Sequence, residues 1–249
     1  MEKVYLGTSG WVYDDWKGRF YPKGLKSEER LRFYSTIFNT VEINSSFYRL
    51  LKLETFRKWA EDVPLEFRFS IKGSRYITHN LKMKPSKILE DAVARFLKTV
   101  EGLEEKGKLI LWQLPPNSRV DLEKLDSFLE LLARLQNRKL KNAFEFRHES
   151  WLNSAVYDTL KKYDSAMVII DSPKWPKIQT LTASFAYLRF HGADSIYSSD
   201  YSEEDLRRWA RKIKVWQKQG LEIYGYFNND VKAFALKNAV SLKNILSRL

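Results

Sequence analysis

Charged, amide and histidine side chains follow short apolar runs at regular intervals along this chain of 249 residues. Carboxylates and imidazoles are candidate acid–base groups, whereas arginine, lysine and amide side chains are candidate ligands for an anion. All three histidines of the chain fall at such positions, which packing alone would rarely produce. The polar residues at or just beyond the ends of the runs are Glu42, Asn44, Arg68, Lys72, His79, Gln113, Glu145, Arg147, His148, Asp171, Arg189, His191, Asn228, Asn229 and Asp230.

The apolar runs themselves have the length of strands, and most are separated by enough residues for a helix. They are Val4–Ser9, Thr40–Asn44, Phe67–Lys72, Lys108–Gln113, Ala143–Arg147, Ala166–Asp171, Phe185–His191 and Ile223–Asn228. Eight strand–helix units in about 250 residues match a (β/α)8 barrel, in which catalytic groups lie at the C-terminal strand ends. We therefore predict an α/β fold with a single TIM-barrel-like domain over residues 1–249.

Helices are predicted between these strands from apolar residues at helical spacing. The predicted helices are Glu28–Phe38, Leu53–Asp62, Ser86–Glu105, Leu122–Arg138, Ser154–Tyr163, Glu203–Gln219 and Val231–Leu246. The segment between Asp171 and Phe185 is short and contains Pro173 and Pro176, which disfavour a full helix. The sequence therefore predicts an irregular crossover between the sixth and seventh strands.

Alternation along the strands predicts which side chains face the barrel interior. Phe144 and Phe146 are expected to face the helices, which turns Glu145 and Arg147 inward. The same reasoning turns Glu42, Asn44, Arg68, Ser70, Lys72, Arg189 and His191 inward. Such a charged interior has two interpretations. It is either a substrate cradle or a network of ion pairs that closes the barrel, because buried charges must be paired.

The formal net charge of +12 favours anionic partners. The densest basic patch, Arg207–Lys214, is interpreted as one amphipathic helix, for which an ordinary solvated face is the alternative. No apolar run approaches the length of a membrane span, and the chain has no cysteine for disulfides or thiolate metal sites. Since the first strand begins close to the N-terminus, no signal peptide is expected. We predict a cytoplasmic protein without a membrane partner.

Cofactor expectations follow from the donor types. We expect no tightly bound organic cofactor, because the chain lacks phosphate-loop and dinucleotide-binding motifs. Asp171 and His191 are candidate ligands for a divalent metal, although no HExxH spacing is present and nearby arginines oppose a cation. Trp151 follows a strand end, where an indole could stack on a sugar ring or a base, and packing of the rim is the alternative.

A set of motifs distributed along the whole chain resembles one known family. They include Gly7-Thr8-Ser9-Gly10-Trp11, Thr40-Val41-Glu42-Ile43-Asn44, Leu111-Trp112-Gln113-Leu114-Pro115, Glu145-Phe146-Arg147-His148, Leu188-Arg189-Phe190-His191-Gly192 and Phe227-Asn228-Asn229-Asp230. The combination resembles the YecE-like family, domain of unknown function 72. The resemblance implies a TIM-barrel-like fold without naming a reaction. It also implies that the polar set above, apart from Arg68, Asp171 and Asn229, carries the site.

The leading functional hypothesis is an enzyme that acts on a phosphate-bearing or other anionic substrate, with phosphoester hydrolysis as the reaction class. Arg147, Arg189 and Lys72 would bind the anion. Glu145 or Glu42 would act as general base, and His191 or His148 as general acid. The other predicted substrate-binding residues are Asn44, His79, Gln113, Trp151, Asn228 and Asp230.

Two further hypotheses belong to other functional classes. One is a non-catalytic module that binds nucleic acid or an anionic metabolite, for which Arg207, Arg208 and Arg211 would matter most. The other is a sugar-processing enzyme that uses Glu42 and Glu145 as a carboxylate pair.

Overall fold

The computed structural model describes residues 4–136, 140–175 and 179–249, which form two compact units. The first unit contains residues 4–42, 169–175 and 184–249, and the second contains residues 43–136, 140–168 and 179–183. The strands are β1 (Val4–Thr8), β2 (Thr40–Ile43), β3 (Arg68–Lys72), β4 (Gly107–Gln113), β5 (Lys141–Glu145), β6 (Ala166–Met167), β7 (Ile169–Asp171), β8 (Phe185–Phe190) and β9 (Glu222–Phe227). The helices are α1 (Arg30–Ser35), α2 (Ser45–Tyr48), α3 (Leu53–Glu61), α4 (Lys87–Val100), α5 (Leu122–Leu135), α6 (Ser154–Lys162), α7 (Glu203–Lys218) and α8 (Phe234–Ser247).

Four of the longer helices begin at residues whose side chains cap free backbone N–H groups. Ser86, Asp121, Asn153 and Ser202 accept hydrogen bonds from the backbone three residues ahead, at 3.0 to 3.1 Å. Short polar residues are favoured at this position because the first turn of a helix has N–H groups without intrahelical partners. The sequence therefore sets the start of α4, α5, α6 and α7 locally.

The first unit is built on a parallel sheet of order β1-β9-β8-β7. Phe190 on β8 packs edge-to-face on Trp209 of α7, with ring centroids 5.2 Å apart. Because side chains alternate along a strand, this contact turns the neighbouring Arg189 to the opposite face of the sheet. An isolated parallel bridge joins Ser9 to Glu42 within this unit.

The second unit contains parallel strands β3, β4, β5 and β6 in chain order, while β2 carries the boundary between the units. Trp112 on β4 packs between Phe96 of α4 and Phe128 of α5, at centroid distances of 5.8 and 5.1 Å. Phe144, the register partner of Trp112 on β5, also contacts Phe128. The next register pair, Gln113 and Glu145, therefore lies on the face away from the helices.

The α/β class with parallel strands is confirmed, and strands occur at all eight predicted runs. The sixth run is interrupted at Val168, which separates β6 from β7. Residues 172–175 and 179–184 contain no helix, as predicted for the irregular crossover. Within the second unit, Thr182 Oγ1 accepts a hydrogen bond from Met167 N and donates one to Ser165 O, both 2.7 Å, which fixes the crossover to β6.

Two predicted features extend beyond the described residues, and some short helices were not predicted. Pro176 and the last two residues of the predicted helix Leu122–Arg138 lie outside the described residues. Helix α2 and a π-helical turn over Tyr76–Asn80 are too short to show periodicity in the sequence. In the described part of the chain, none of the helices combines the length and the apolar character needed to cross a membrane.

Candidate functional site

The Glu42 cluster of the first unit consists of Ser9, Glu42, Tyr187 and Arg189. Glu42 lies near the end of β2 and is fully buried. Arg189 Nη2 donates to Glu42 Oε1 at 2.7 Å, Ser9 Oγ donates to the same oxygen, and Tyr187 OH donates to Oε2 at 2.6 Å. A buried carboxylate with an arginine and two hydroxyl donors is fully engaged. The ion-pair interpretation therefore fits Glu42 and Arg189 better than their predicted roles as general base and anion ligand.

Asp230 of the same unit has the properties of a proton-transfer group. The pKa of its carboxyl is raised to about 7, chiefly by burial and also by the negative charge of Glu42, while Tyr13 and Arg189 oppose the shift. Its Oδ1 atom is buried without a hydrogen-bond partner among the described residues. A carboxyl that titrates near neutral pH can both accept and donate a proton during a reaction.

The phenol of Tyr13 contacts this carboxyl. Tyr13 OH hydrogen-bonds to Asp230 and also lies within donor distance of the Ser9 carbonyl. A phenol carries one proton, so it can donate to only one of these oxygens at a time and can accept from a protonated Asp230. Burial also raises the pKa of Tyr13 above its usual range. The sequence prediction placed Asp230 among the substrate ligands and missed Tyr13, which follows the first strand.

His191 is fully buried at the end of β8. Its Nδ1 lies 3.3 Å from Asn228 Nδ2, and its ring contacts Tyr197 edge-to-face. Gly192 follows with φ +114, and a Cβ there would lie 2.3 Å from Ser195 O, so the tight turn after His191 requires glycine. These contacts fix the imidazole, and its role as general acid stays a prediction.

Asp171 does not point towards His191. Its Oδ2 accepts a hydrogen bond of 2.7 Å from Trp209 Nε1 on α7, which places the carboxylate on the helix side of the sheet. The described residues contain no group of three or more histidine or acidic side chains arranged to hold a metal ion. The prediction of Asp171 and His191 as joint metal ligands is therefore corrected, because the two side chains leave the sheet on opposite faces.

The His79 cluster of the second unit consists of Lys72, His79, Gln113, Glu145 and Arg147. The Lys72 ammonium lies 4.3 Å from the centroid of the Phe47 ring, and His79 packs edge-to-face on the same ring at 5.1 Å. The pKa of His79 is lowered to about 4, chiefly by burial and also by the positive charges of Lys72, Arg75 and Arg147. His79 is therefore neutral at pH 7, in a positive field that favours an anion.

Arg147 is held in a fixed orientation by two neighbouring strand ends. Its Nε donates to Glu145 Oε1 at 2.7 Å, and its Nη2 donates to Gln113 Oε1 at 3.3 Å. Glu145 is fully buried, whereas the Arg147 side chain keeps 12% of its surface exposed. The pair thus presents part of an oriented guanidinium to ligands, while Glu145 acts as its anchor instead of a ready general base.

Two predicted site residues have structural contacts after β5. His148 Nδ1 accepts from Ser150 N at 3.1 Å and caps the single turn Glu149–Trp151. Its role as general acid stays a prediction. Trp151 is fully buried, stacks on Phe146 at 4.3 Å and donates to Ser118 O at 2.8 Å. The expected stacking on a substrate is therefore corrected, because the indole belongs to the core of the second unit.

Three polar residues of the predicted set remain, namely Asn44, Asn229 and Arg68. Asn44 follows β2, and its Oδ1 is buried without a partner among the described residues. Asn229 is buried and donates to Asn238 Oδ1 and to Ser199 O, both at 2.9 Å. Arg68 is corrected, because it begins β3 and donates to Leu65 O at 2.8 Å, at the opposite end of the strand from Lys72.

The basic patch on α7 is largely paired within its own helix. Arg207 Nη2 lies 2.5 Å from Glu203 Oε1, and Arg208 contacts both Glu204 and Asp205. Lys212 lies over the Trp209 ring at 5.0 Å. Pairs of this spacing are typical of a solvated helix face, so the patch fits the ordinary-surface interpretation.

Comparison with known proteins gives the family. A family model described as "Protein of unknown function DUF72" matches residues 5–249. The chain belongs to this family. A crystal structure of a DUF72 family protein from Thermotoga maritima MSB8 is 30% identical, covers 98% of this chain and 99% of that chain, and has a TM-score of 0.82. The resemblance to the YecE-like family is thus confirmed.

Two other similar proteins extend this picture. The UPF0759 protein YunF of Bacillus subtilis (strain 168) is 23% identical over 271 residues, which cover 98% of this chain and 94% of that protein. The crystal structure of a D-psicose 3-epimerase is 10% identical, covers 98% of this chain and 97% of that chain, and has a TM-score of 0.53. That likeness concerns the fold alone and supports the TIM-barrel-like class of this DUF72 chain.

Proposed function

We propose that this DUF72 protein is an enzyme that binds a phosphate-bearing or other anionic substrate and transfers a proton to or from it. The observation that carries the proposal is the field at His79, where Lys72, Arg75 and Arg147 all lower the pKa of a half-buried imidazole. Phosphoester hydrolysis is the reaction class that best fits a cluster of cations of this kind.

Anion binding is assigned to the second unit. Glu145 and Gln113 orient Arg147, and guanidinium groups bind phosphate through paired N–H donors. Lys72 adds a point charge, partly desolvated against the Phe47 ring. Neutral His79 can donate a hydrogen bond to the anion. Because bound negative charge would offset the surrounding cations, an anion should raise the pKa of His79.

Proton transfer is assigned to Asp230 of the first unit, which replaces Glu42 and Glu145 as the leading acid–base candidate. The ionised carboxyl of Asp230 can accept a proton, and the protonated carboxyl can return it. Tyr13 would position the Asp230 carboxyl through its phenol.

The carboxylate pair of the sugar-processing hypothesis receives less support. Glu42 is paired with Arg189, and Glu145 is paired with Arg147. A glycosidase pair requires both carboxyl groups to act on the sugar, whereas each of these carboxylates is occupied by an arginine.

Turnover and binding can be tested separately. We would measure hydrolysis of p-nitrophenyl phosphate and of a labelled single-stranded oligonucleotide, with and without Mg²⁺ or Mn²⁺, and measure phosphate binding by calorimetry. Asp230→Asn should lower kcat at least about 100-fold and leave phosphate affinity unchanged, whereas Lys72→Met should mainly raise KM.

Asp194→Asn is the matched control, because it removes a carboxylate from an exposed loop of the same unit. Full turnover in Asp230→Asn would contradict the proton-transfer assignment. Phosphate binding without turnover of any ester would favour the non-catalytic binding module.

A further inference from the structure

We propose that a groove on the second unit binds single-stranded nucleic acid. The groove, called the Tyr48 groove, has a volume of about 300 Å³ and lies between the segment after β2, the turn after β3 and helix α4. The residues on which the proposal depends are Tyr48, Arg49, Arg75, Tyr76 and Arg95. To the extent that it names the substrate class, this inference rests on the proposed function. The binding itself does not require catalysis.

The groove presents aromatic rings to solvent. Tyr48 is 75% exposed and Tyr76 is 46% exposed. The Tyr48 ring packs edge-to-face on the Phe47 ring, with ring centroids 5.1 Å apart. Tyr76 begins the π-helical turn, and its backbone N donates to Ser74 Oγ at 3.2 Å. Exposed rings on a supported backbone can stack on successive unpaired bases, which is how proteins bind single strands without reading their sequence.

The charge of the groove complements a phosphodiester backbone. The charged side chains among its described lining residues are all arginines, namely Arg49, Arg75 and Arg95. Asp91 lies nearby on α4, but its carboxylate is paired with Lys87 at 2.9 Å. Arg95 Nε donates to the Asp91 carbonyl, which holds the guanidinium along the helix. Stacking rings beside such cations favour a single strand, because a duplex keeps its bases paired and away from the tyrosines.

The groove is continuous with the His79 cluster inside the second unit. Phe47 lines the groove and also carries the Lys72 ammonium on its ring. Arg75 lines the groove and also acts on the pKa of His79. A strand seated on Tyr48 and Tyr76 would therefore extend towards the cations proposed to bind a phosphate.

Fluorescence anisotropy with a labelled oligonucleotide of about 12 nucleotides tests the proposal, since single-strand sites span roughly 4–16 nucleotides. The arms are single-stranded DNA, single-stranded RNA and a matched duplex, each at about 50 and 200 mM salt. Wild type should bind both single strands more tightly than the duplex. The Tyr48→Ala/Tyr76→Ala variant should bind single strands at least about 10-fold more weakly.

Arginine variants supply the matched control. Arg49→Gln/Arg95→Gln should weaken binding and flatten its salt dependence, because fewer counterions are released. Arg207→Gln/Arg208→Gln removes the same charge from α7 and should change affinity less than about 2-fold. Circular dichroism melting would confirm that each variant is folded. Equal affinity for the duplex, or unchanged affinity in the tyrosine variant, would overturn the proposal.

Failure of this inference can be distinguished from failure of the proposed function. The tyrosine variant should still hydrolyse p-nitrophenyl phosphate at the wild-type rate, because no residue of the His79 cluster is changed. Single-strand binding by a protein that hydrolyses no ester would refute the proposed enzyme and support the groove. Hydrolysis of small esters without single-strand binding would do the reverse.

Discussion

Two glutamate–arginine ion pairs of this protein have the same N–O distance but differ in how accessible the arginine is. Glu42–Arg189 in the first unit and Glu145–Arg147 in the second each have an N–O distance of 2.7 Å and a fully buried carboxylate. The Arg189 side chain is 1% exposed, whereas that of Arg147 is 12% exposed. Ser9 and Tyr187 complete the first pair, while the second orients a guanidinium beside other cations. The first pair is therefore closed to ligands, whereas the second leaves part of a guanidinium accessible to one.

The titratable groups near the two pairs show a related contrast. Burial is the largest influence on the pKa of both Asp230 and His79, and in both it favours the neutral form. Local charge then acts in the same direction in each unit, through Glu42 on Asp230 and through Lys72 on His79. Asp230 in the first unit therefore keeps its proton up to about neutral pH, whereas His79 in the second unit is already deprotonated at that pH.

The largest expected effect comes from breaking the closed pair. Arg189→Met should lower the free energy of unfolding by about 3–5 kcal/mol, because it leaves Glu42 buried without its countercharge. Arg147→Met should cost less, about 1–2 kcal/mol, since water can reach the partly exposed end of that pair. Urea unfolding of the two variants beside wild type measures the difference. Equal losses would remove the distinction between the pairs.

Asp230→Asn should change how stability depends on pH. The folded pKa of about 7 lies above the ordinary value of 3.8, so wild type loses stability as pH rises from about 4 to 7. The variant should lack this loss and be more stable than wild type at pH 8, by about 2 kcal/mol, with a smaller difference at pH 4. Thermal melts across this range test the sign. Asp194→Asn should follow wild type throughout.

The smallest expected effect concerns His79. Its folded pKa of about 4 lies below the ordinary 6.5, so stability falls as pH falls from 6.5 towards 4, by less than about 1 kcal/mol for a half-exposed ring. Proton NMR should show a higher His79 pKa in Lys72→Met, though below 6.5, because burial is the larger cause. Saturating phosphate should raise that pKa in wild type. An unchanged pKa would remove His79 from the anion site.

Strand periodicity predicted three of the buried charged residues. Glu42, Glu145 and Arg189 were expected on the side away from the helices, and all three are buried. For Glu145 and Arg189, the neighbouring residues Phe144 and Phe190 pack on helix residues. Periodicity does not choose partners, however. Arg189 and Glu42 are 147 residues apart in sequence, so their pairing depends on strand order and register.

Residues at strand ends and in loops were predicted less well. Tyr13 follows β1 outside any periodic segment, and its importance arises only from contact with Asp230. Asp171 ends β7, where alternation turns it towards Trp209, a partner supplied by a distant helix. Trp151 ends a single helical turn, and its indole donates to Ser118 O, 33 residues earlier in the chain. Each miss concerns a long-range contact, which local sequence does not encode.

The chain order of the two units has a consequence for biosynthesis. Most of the second unit is one uninterrupted stretch that ends at Val168, whereas the first unit combines residues from both ends of the chain. Glu42 is therefore translated well before Arg189, its countercharge, and before Asp230. We expect the second unit to fold on the ribosome first, while β1 still lacks β9, its neighbour in the sheet. A ribosome that stalls soon after Val168 would leave a nascent chain in which the second unit is folded and Glu42 has no countercharge.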